Sequence, residues 1–270
     1  MIKAHALYEV SDWEEISNHS EDSNYLENLI RNRQNIVICS VKDESEIPKA
    51  VEEMASRLLE NHAVMEDVIH TLRKNFIEKK EDFSLPMEEK TWEEKNMVYE
   101  LLRDMYGVIS CITFSSDGIL HGKLVMTPRA QKFINGEYME IAAYQRVKKI
   151  VEALSEKYRK ECKIYRNVLV STRDGILKNE FDMVILFDNM FYIVEVKSGK
   201  NFRDFEKYRE LGKEYRVVPE RFLLLDSCIT EERAAMIHYF LEYYASNLNP
   251  ASLQEKIETM IEKDQREGLE

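Results

Sequence analysis

An acid, a valine and a lysine (Glu195-Val196-Lys197) close one apolar run in NEFDMVILFDNMFYIVEVKSGK, residues 179–200, and two acids, Glu180 and Asp182, open the run before it. The polar pair Asp188-Asn189 between the runs suits a two-residue turn, so the stretch reads as a β-hairpin. With Phe187 opposite Met190, Asp182 falls opposite Glu195 and Glu180 opposite Lys197. Side chains alternate between faces with a period of two. All four charged residues are therefore expected on one face, at one end of the hairpin. Nearer the turn both faces are apolar (Val184, Leu186 and Ile193; Met183, Ile185, Tyr192 and Val194), which predicts interior strands covered on both sides.

Two carboxylates at the end of buried strands repel each other unless positive charge sits between them. A divalent cation, Mg²⁺ or Mn²⁺, meets that need with oxygen ligands and keeps positions open for water and phosphate. Lys197 is then placed to contact an attacking water or a phosphate. Such a group suits hydrolysis of a phosphodiester, because a metal acidifies bound water and neutralises charge in the transition state. The same residues also fit a buried cross-strand ion pair, Glu180 or Glu195 with Lys197, with Asp182 as a satisfied polar group. Spacing alone leaves both readings open.

The elements that must position these residues are legible in outline. NIVICSV (35–41) reads as a buried strand, and helical spacing follows from Glu44 to Glu60 and from His62 to Lys79. EKKEDFSLPMEEK reads as a connector, with Pro86 as the boundary. In TWEEKNMVYELLRDMYG, Thr91 caps a helix and Gly107 ends it. VISCITFSSDGILHGKLVMTP turns at Asp117-Gly118 as a hairpin, and helix followed by hairpin is how a winged-helix module ends. A further helix opens near Gly136 and runs to about Glu161, with Glu140 aligned with the apolar stripe Tyr144, Val147, Val151, Leu154. Then come a strand at NVLVST, a turn at RDGILK, the hairpin, a helix at NFRDFEKYRELGKEY, a strand at RFLLLDS and a helix at TEERAAMIHYFLEYYA. This order predicts an α/β fold with a mixed sheet.

Asp182 followed by Glu195-Val196-Lys197 resembles the PD-(D/E)xK nuclease signature, with Phe181 where the motif name has proline. FINGEYMEIAAY and NEFDMVILFDNMFYIVEVKSG, following a winged-helix-like unit, resemble the nuclease half of the CARF-linked effectors of type III CRISPR systems, over roughly residues 90–247. That resemblance implies a restriction-endonuclease-like mixed sheet flanked by helices. It also implies a metal-dependent endonuclease acting on DNA or RNA in antiviral defence, often dimeric. It adds Glu140 as a third acid and metal ligand beside Asp182 and Glu195, in preference to Glu137, which the helix dipole favours in any case. Arg173 and Lys178 before the hairpin, Glu180 within it, and Lys200, Arg203 and Lys207 after it are the candidates for substrate contact.

The expected division is an N-terminal α/β segment over 1–85, a CARF remnant or dimerisation element, then a winged-helix-like module over 86–129 and the nuclease domain over 130–270. About 85 residues are few for a whole Rossmann-like CARF unit, and no glycine-rich GTK-type stretch lies among them. Cyclic oligoadenylate is therefore expected to bind weakly or not at all. A net charge of −12 argues against a general nucleic-acid coat protein. MIKAHALYEVSDWEE has no apolar run after a basic start, and no segment reads as a membrane span, so a cytoplasmic chain is expected. Cys39, Cys111, Cys162 and Cys228 form no CxxC, and the histidines show no metal-ligand spacing. A non-enzymatic competitor remains: a catalytically inactive nucleic-acid-binding or regulatory protein on a nuclease-like scaffold.

Overall fold

Asp188 and Asn189 both take left-handed backbone conformations, φ 49 and 64, and so form the tight turn their residue types favour. The hairpin register follows, from Phe187–Met190 to Met183–Val194. Its strands lie in the interior of a sheet, with Val184, Ile185, Tyr192, Ile193 and Val194 fully buried. The computed structural model describes residues 36–42, 47–105, 107–172, 174–197 and 217–267.

Along the chain run β1 (Ile36–Lys42), α1 (Lys49–Glu60), α2 (His62–Glu78), β2 (Asp82–Pro86), α3 (Trp92–Asp104), β3 (Ile109–Phe114) and β4 (Ile119–Leu124). Then follow α4 (Pro128–Lys132), α5 (Tyr138–Tyr158), β5 (Cys162–Thr172), β6 (Leu177–Phe187) and β7 (Met190–Lys197). The chain closes with β8 (Phe222–Asp226), α6 (Glu231–Leu241), β9 (Tyr244–Ser246) and α7 (Pro250–Glu267). The architecture is α/β, with a mixed sheet flanked by helices. Among the described residues no helix is long and apolar enough to cross a membrane.

Two compact units result, and the described residues divide between them as 36–42 with 143–267, and 47–142. In the first, six strands lie in the order β1-β5-β6-β7-β8-β9. β1, β5, β6 and β7 pair antiparallel, while β7–β8 and β8–β9 pair parallel. The guanidinium of buried Arg166 on β5 lies 5.0 Å over the ring of Tyr144 on α5. The last helix is tied to the sheet by a polar knot. Tyr192 donates to Asp264 Oδ2 at 2.7 Å, and Arg221 donates to both Asp264 oxygens, at 2.8 and 3.0 Å. Burial, reinforced by that carboxylate, pushes the Tyr192 hydroxyl far above its ordinary pKa.

The second unit sets α1, α2 and α3 with a three-stranded antiparallel sheet, β2-β4-β3. Thr91 and Glu94 form the reciprocal cap read from TWEE, with bonds of 2.8 and 3.3 Å. The stretch expected as a connector instead contains β2. Phe83 and Leu85 are buried while Asp82, Ser84 and Pro86 are exposed, and Pro86 is tolerated as the last residue of an edge strand. Neither expected boundary falls in a connector: Pro86 ends β2, and residue 129 lies inside α4. β1, from the expected N-terminal segment, joins the six-stranded sheet.

A second correction concerns TEERAAMIHYFLEYYA. The helix stops at Leu241, Glu242 takes a left-handed cap with φ 61, and Tyr244–Ser246 becomes β9. Tyr243, Tyr244 and Ala245 are buried against the sheet while Tyr239 and Phe240 face solvent. Parallel pairing with β8 thus overrides the helical spacing of HYFLEYY. The helix expected at NFRDFEKYRELGKEY lies outside the described residues.

Gly122 sits in the middle strand of the smaller sheet. A β-carbon there would stand 2.4 Å from the Phe83 ring and 2.9 Å from the Cys111 carbonyl oxygen. Gly122→Ala is therefore expected to destabilise this unit by about 1–3 kcal/mol, the usual cost of overpacking. Urea unfolding of the variant against the parent chain checks this; equal midpoints would contradict it.

Candidate active site

The hairpin ladder ends at Met183–Val194, one pair short of Asp182 and Glu195. There the Asp182 carboxylate does the work of a backbone acceptor: its Oδ2 takes the amide proton of Val196 at 2.8 Å. Lys197 donates to Glu195 Oε2 at 3.0 Å, and the same ammonium stands 3.7 Å from Asp182 Oδ2. One cation thus serves two carboxylates, and the three side chains meet at the end of β6 and β7. Glu195 is 4% exposed, whereas the Lys197 side chain keeps 31% exposure and can be reached from solvent.

Burial first, and then the charge of Glu195, push the Asp182 carboxyl up from its ordinary value to about 7. Lys197 and the Val196 amide pull the other way without cancelling the shift. A carboxyl with that balance gains from any further positive charge placed beside it.

β8 brings a third acid to the neighbourhood. Asp226 is paired in register with Lys197 across the parallel strands, is 3% exposed, and accepts the Cys228 amide at 3.0 Å. It was missed in the sequence, where its only signal is an acid ending the apolar run FLLLD. Asn167 was missed as well. It stands buried on β5 with φ 44, and its amide donates to Glu180 Oε1 at 3.2 Å. Its signal is an asparagine inside the strand run YRNVLV.

The other expected residues are placed as follows. Glu180 is exposed on β6 and is turned to Asn167. Glu140 lies half-buried in the first turn of α5 and falls in the second compact unit. Glu137 pairs with Lys132 at 3.5 Å. Lys178 contributes its backbone to β6, its side chain lying outside the description. Arg173, Lys200, Arg203 and Lys207 lie outside the described residues.

Among the described residues, no group of three or more His, Cys, Asp or Glu side chains is gathered as a metal site. Asp182 and Glu195 nonetheless supply paired carboxylate oxygens, the hard donors that Mg²⁺ or Mn²⁺ takes, leaving positions for water. The donor set fits such a cation as a partial shell.

No protein-family model matches the chain, and no curated protein matches it. Solved structures do. Protein VC1899 from Vibrio cholerae is similar with a TM-score of 0.51 and 18% identity, over 80% of this chain and 56% of that one. Can2 from Sulfobacillus thermosulfidooxidans, solved in complex with cyclic tetra-adenylate, is similar with a TM-score of 0.50 and 17% identity, over 80% and 57%. The chain therefore has a Can2-like fold and spans somewhat over half the length of these two proteins.

The raised Asp182 carboxyl makes stability depend on pH. The folded chain holds this proton more tightly than the unfolded chain, so the contribution of Asp182 to stability is fully present below about pH 4 and is lost as pH rises toward 7. Asp182→Asn removes the titration and keeps an acceptor for the Val196 amide. In EDTA, its melting temperature relative to the parent is expected to rise between pH 5 and pH 8. A difference that stays constant across this range would contradict the shift.

Proposed function

We propose that this chain is a metal-dependent nuclease that hydrolyses phosphodiester bonds of DNA or RNA, with Asp182, Glu195 and Lys197 as its catalytic group. The observation that carries the reading is the convergence of two largely buried carboxylates on one partly exposed lysine at a sheet end. Asp182 and Glu195 would hold Mg²⁺ or Mn²⁺, and Glu140 enters as a third ligand on the family resemblance alone. The cation, when bound, supplies a more acidic water and neutralises charge on the phosphate.

The chain's own residues do the rest. The Val196 amide fixes one Asp182 oxygen and so orients its carboxylate. With the carboxylates holding a cation, the Lys197 ammonium would face the attacked phosphate, where it would stabilise developing negative charge. Buried strands beneath the group keep it rigid. The Can2-like fold supports the reading, and with it a place in CRISPR-linked antiviral defence; a winged-helix role for residues 86–129 and assembly as a homodimer are proposed on the family resemblance alone. Cyclic tetra-adenylate accompanies Can2, but the sequence before Pro86 has no glycine-rich stretch of the kind that would cradle it.

A second reading keeps a specific observation: Lys197 already pairs with both acids without a metal. The group would then be structural, and the protein a nucleic-acid-binding or regulatory one on a nuclease-like scaffold.

Incubation with plasmid, single-stranded DNA and RNA, in Mn²⁺, Mg²⁺ or EDTA, tests the activity directly. Lys197→Ala is expected to lose cleavage by about 10²–10³-fold while Mn²⁺ binding persists. Asp182→Ala is expected to lose both. If Lys197→Ala cleaves normally and merely melts lower, the lysine is scaffold, since removing one partner of a buried pair leaves a carboxylate uncompensated.

Calorimetry with cyclic tetra-adenylate tests the remaining point. Binding weaker than micromolar, or none, is expected for this chain; micromolar or tighter binding would show that the N-terminal segment carries a nucleotide site.

A further inference from the structure

Asn167 is a non-glycine residue with a left-handed backbone, φ 44, in the interior of strand β5. Such a conformation is uncommon within a strand and, where it persists, is over-determined by its surroundings. Three features surround it. Toward β1, the pairs Ser40–Leu169 and Lys42–Arg166 enclose a register shift: β5 spends one residue more than β1 there. Toward β6, the ladder runs from Arg166–Met183 to Val168–Phe181 and passes over Asn167 and Asp182. On the far side of β6, pairing with β7 ends at Met183, again beside Asp182.

Asp182 thus sits at a skipped pair of the β5 ladder and one step beyond the end of the β7 ladder, and the left-handed residue lies directly across from it. A bulge built on a left-handed residue bends its strand and re-aims neighbouring side chains. Released from regular pairing, Asp182 turns its carboxylate to the Val196 amide, beside Lys197. The Asn167 side chain meanwhile holds Glu180, the nearest acid on the same strand, by the bond at 3.2 Å.

We propose that Asn167 is a positioning residue for the acid pair: its left-handed backbone forms the bulge that aims Asp182 at Val196 and Lys197, and its amide holds the neighbouring Glu180. The role rests on the nuclease reading for its purpose, though the geometry stands without it. Asparagine suits the position because its short polar side chain tolerates the left-handed region, whereas a β-branched residue does not.

Hydrogen exchange of the Val196 amide, with the Ile193 amide as reference, together with Mn²⁺ calorimetry, tests the proposal. Asn167→Val should speed Val196 exchange relative to Ile193 by about tenfold or more, as expected of a local opening, and weaken Mn²⁺ binding by a similar factor. Asn167→Gly keeps the left-handed backbone and should hold Val196 protection within about threefold of the parent. Should Asn167→Val fail to fold, Asn167→Ala replaces it, with the same selective effect expected at Val196. Unchanged Val196 exchange in the valine or alanine variant overturns the proposal, as does a glycine variant that loosens Val196 as much as they do. If the parent chain neither binds Mn²⁺ nor cleaves nucleic acid, the nuclease reading falls, and Val196 exchange alone then decides the bulge.

Discussion

The ammonium of Lys197 is the fixed point of this molecule. Glu195 and Asp182 are withdrawn from water at the end of two interior strands, and charge in such surroundings is costly unless paired. One lysine supplies the pairing for both. The rest of the first unit explains how that arrangement is held. Apolar residues on both faces of the hairpin fix its depth, the left-handed turn fixes its register, and parallel pairing with β8 fixes the far side of β7. The same lysine is part-exposed, so the charge that stabilises the resting site is also one that an incoming cation and phosphate could redistribute.

Strength and irregularity divide the sheet between them. From Met183 to Phe187 the strands are regular and buried; at Asp182 pairing with β7 has ended, the β5 ladder skips one pair before resuming at Phe181, and a carboxylate takes over an amide. A regular ladder would have used that amide for a carbonyl and left the acid without its anchor. Departures from ideal pairing often gather where a side chain must be aimed, and this one lies where the chemistry would be. Near the turn of the same hairpin, the Tyr192–Asp264–Arg221 knot fastens α7 to β7.

The elements legible in the sequence were those with strong local signals. Thr91 and Glu94 announced a helix start, Asp117-Gly118 and Asp188-Asn189 announced turns, and the apolar hairpin announced interior strands. Misreadings fell where a local signal met tertiary pairing. Pro86 looked like a breaker but ends an edge strand whose Phe83 and Leu85 alternate inward. The aromatic run before Ser246 had helical spacing, yet an open strand edge on β8 recruited Tyr244–Ser246. The helix α7 is not among the elements read from the sequence.

By itself, the sequence determined that Asp182, Glu195 and Lys197 share one end of a buried hairpin, because a two-residue turn and a period of two leave little freedom in register. It also carried the likeness to the PD-(D/E)xK pattern, which needs residue types and spacing alone. What only the tertiary structure decided depends on residues far apart in the chain: that β1 completes the large sheet, that Asp226 comes beside Lys197, and that Asn167 faces Asp182 where β5 also shifts register against β1. Each depends on which strands become neighbours and in what register. That is settled by burial of apolar faces and completion of backbone hydrogen bonds over the whole sheet, which no local window of sequence contains.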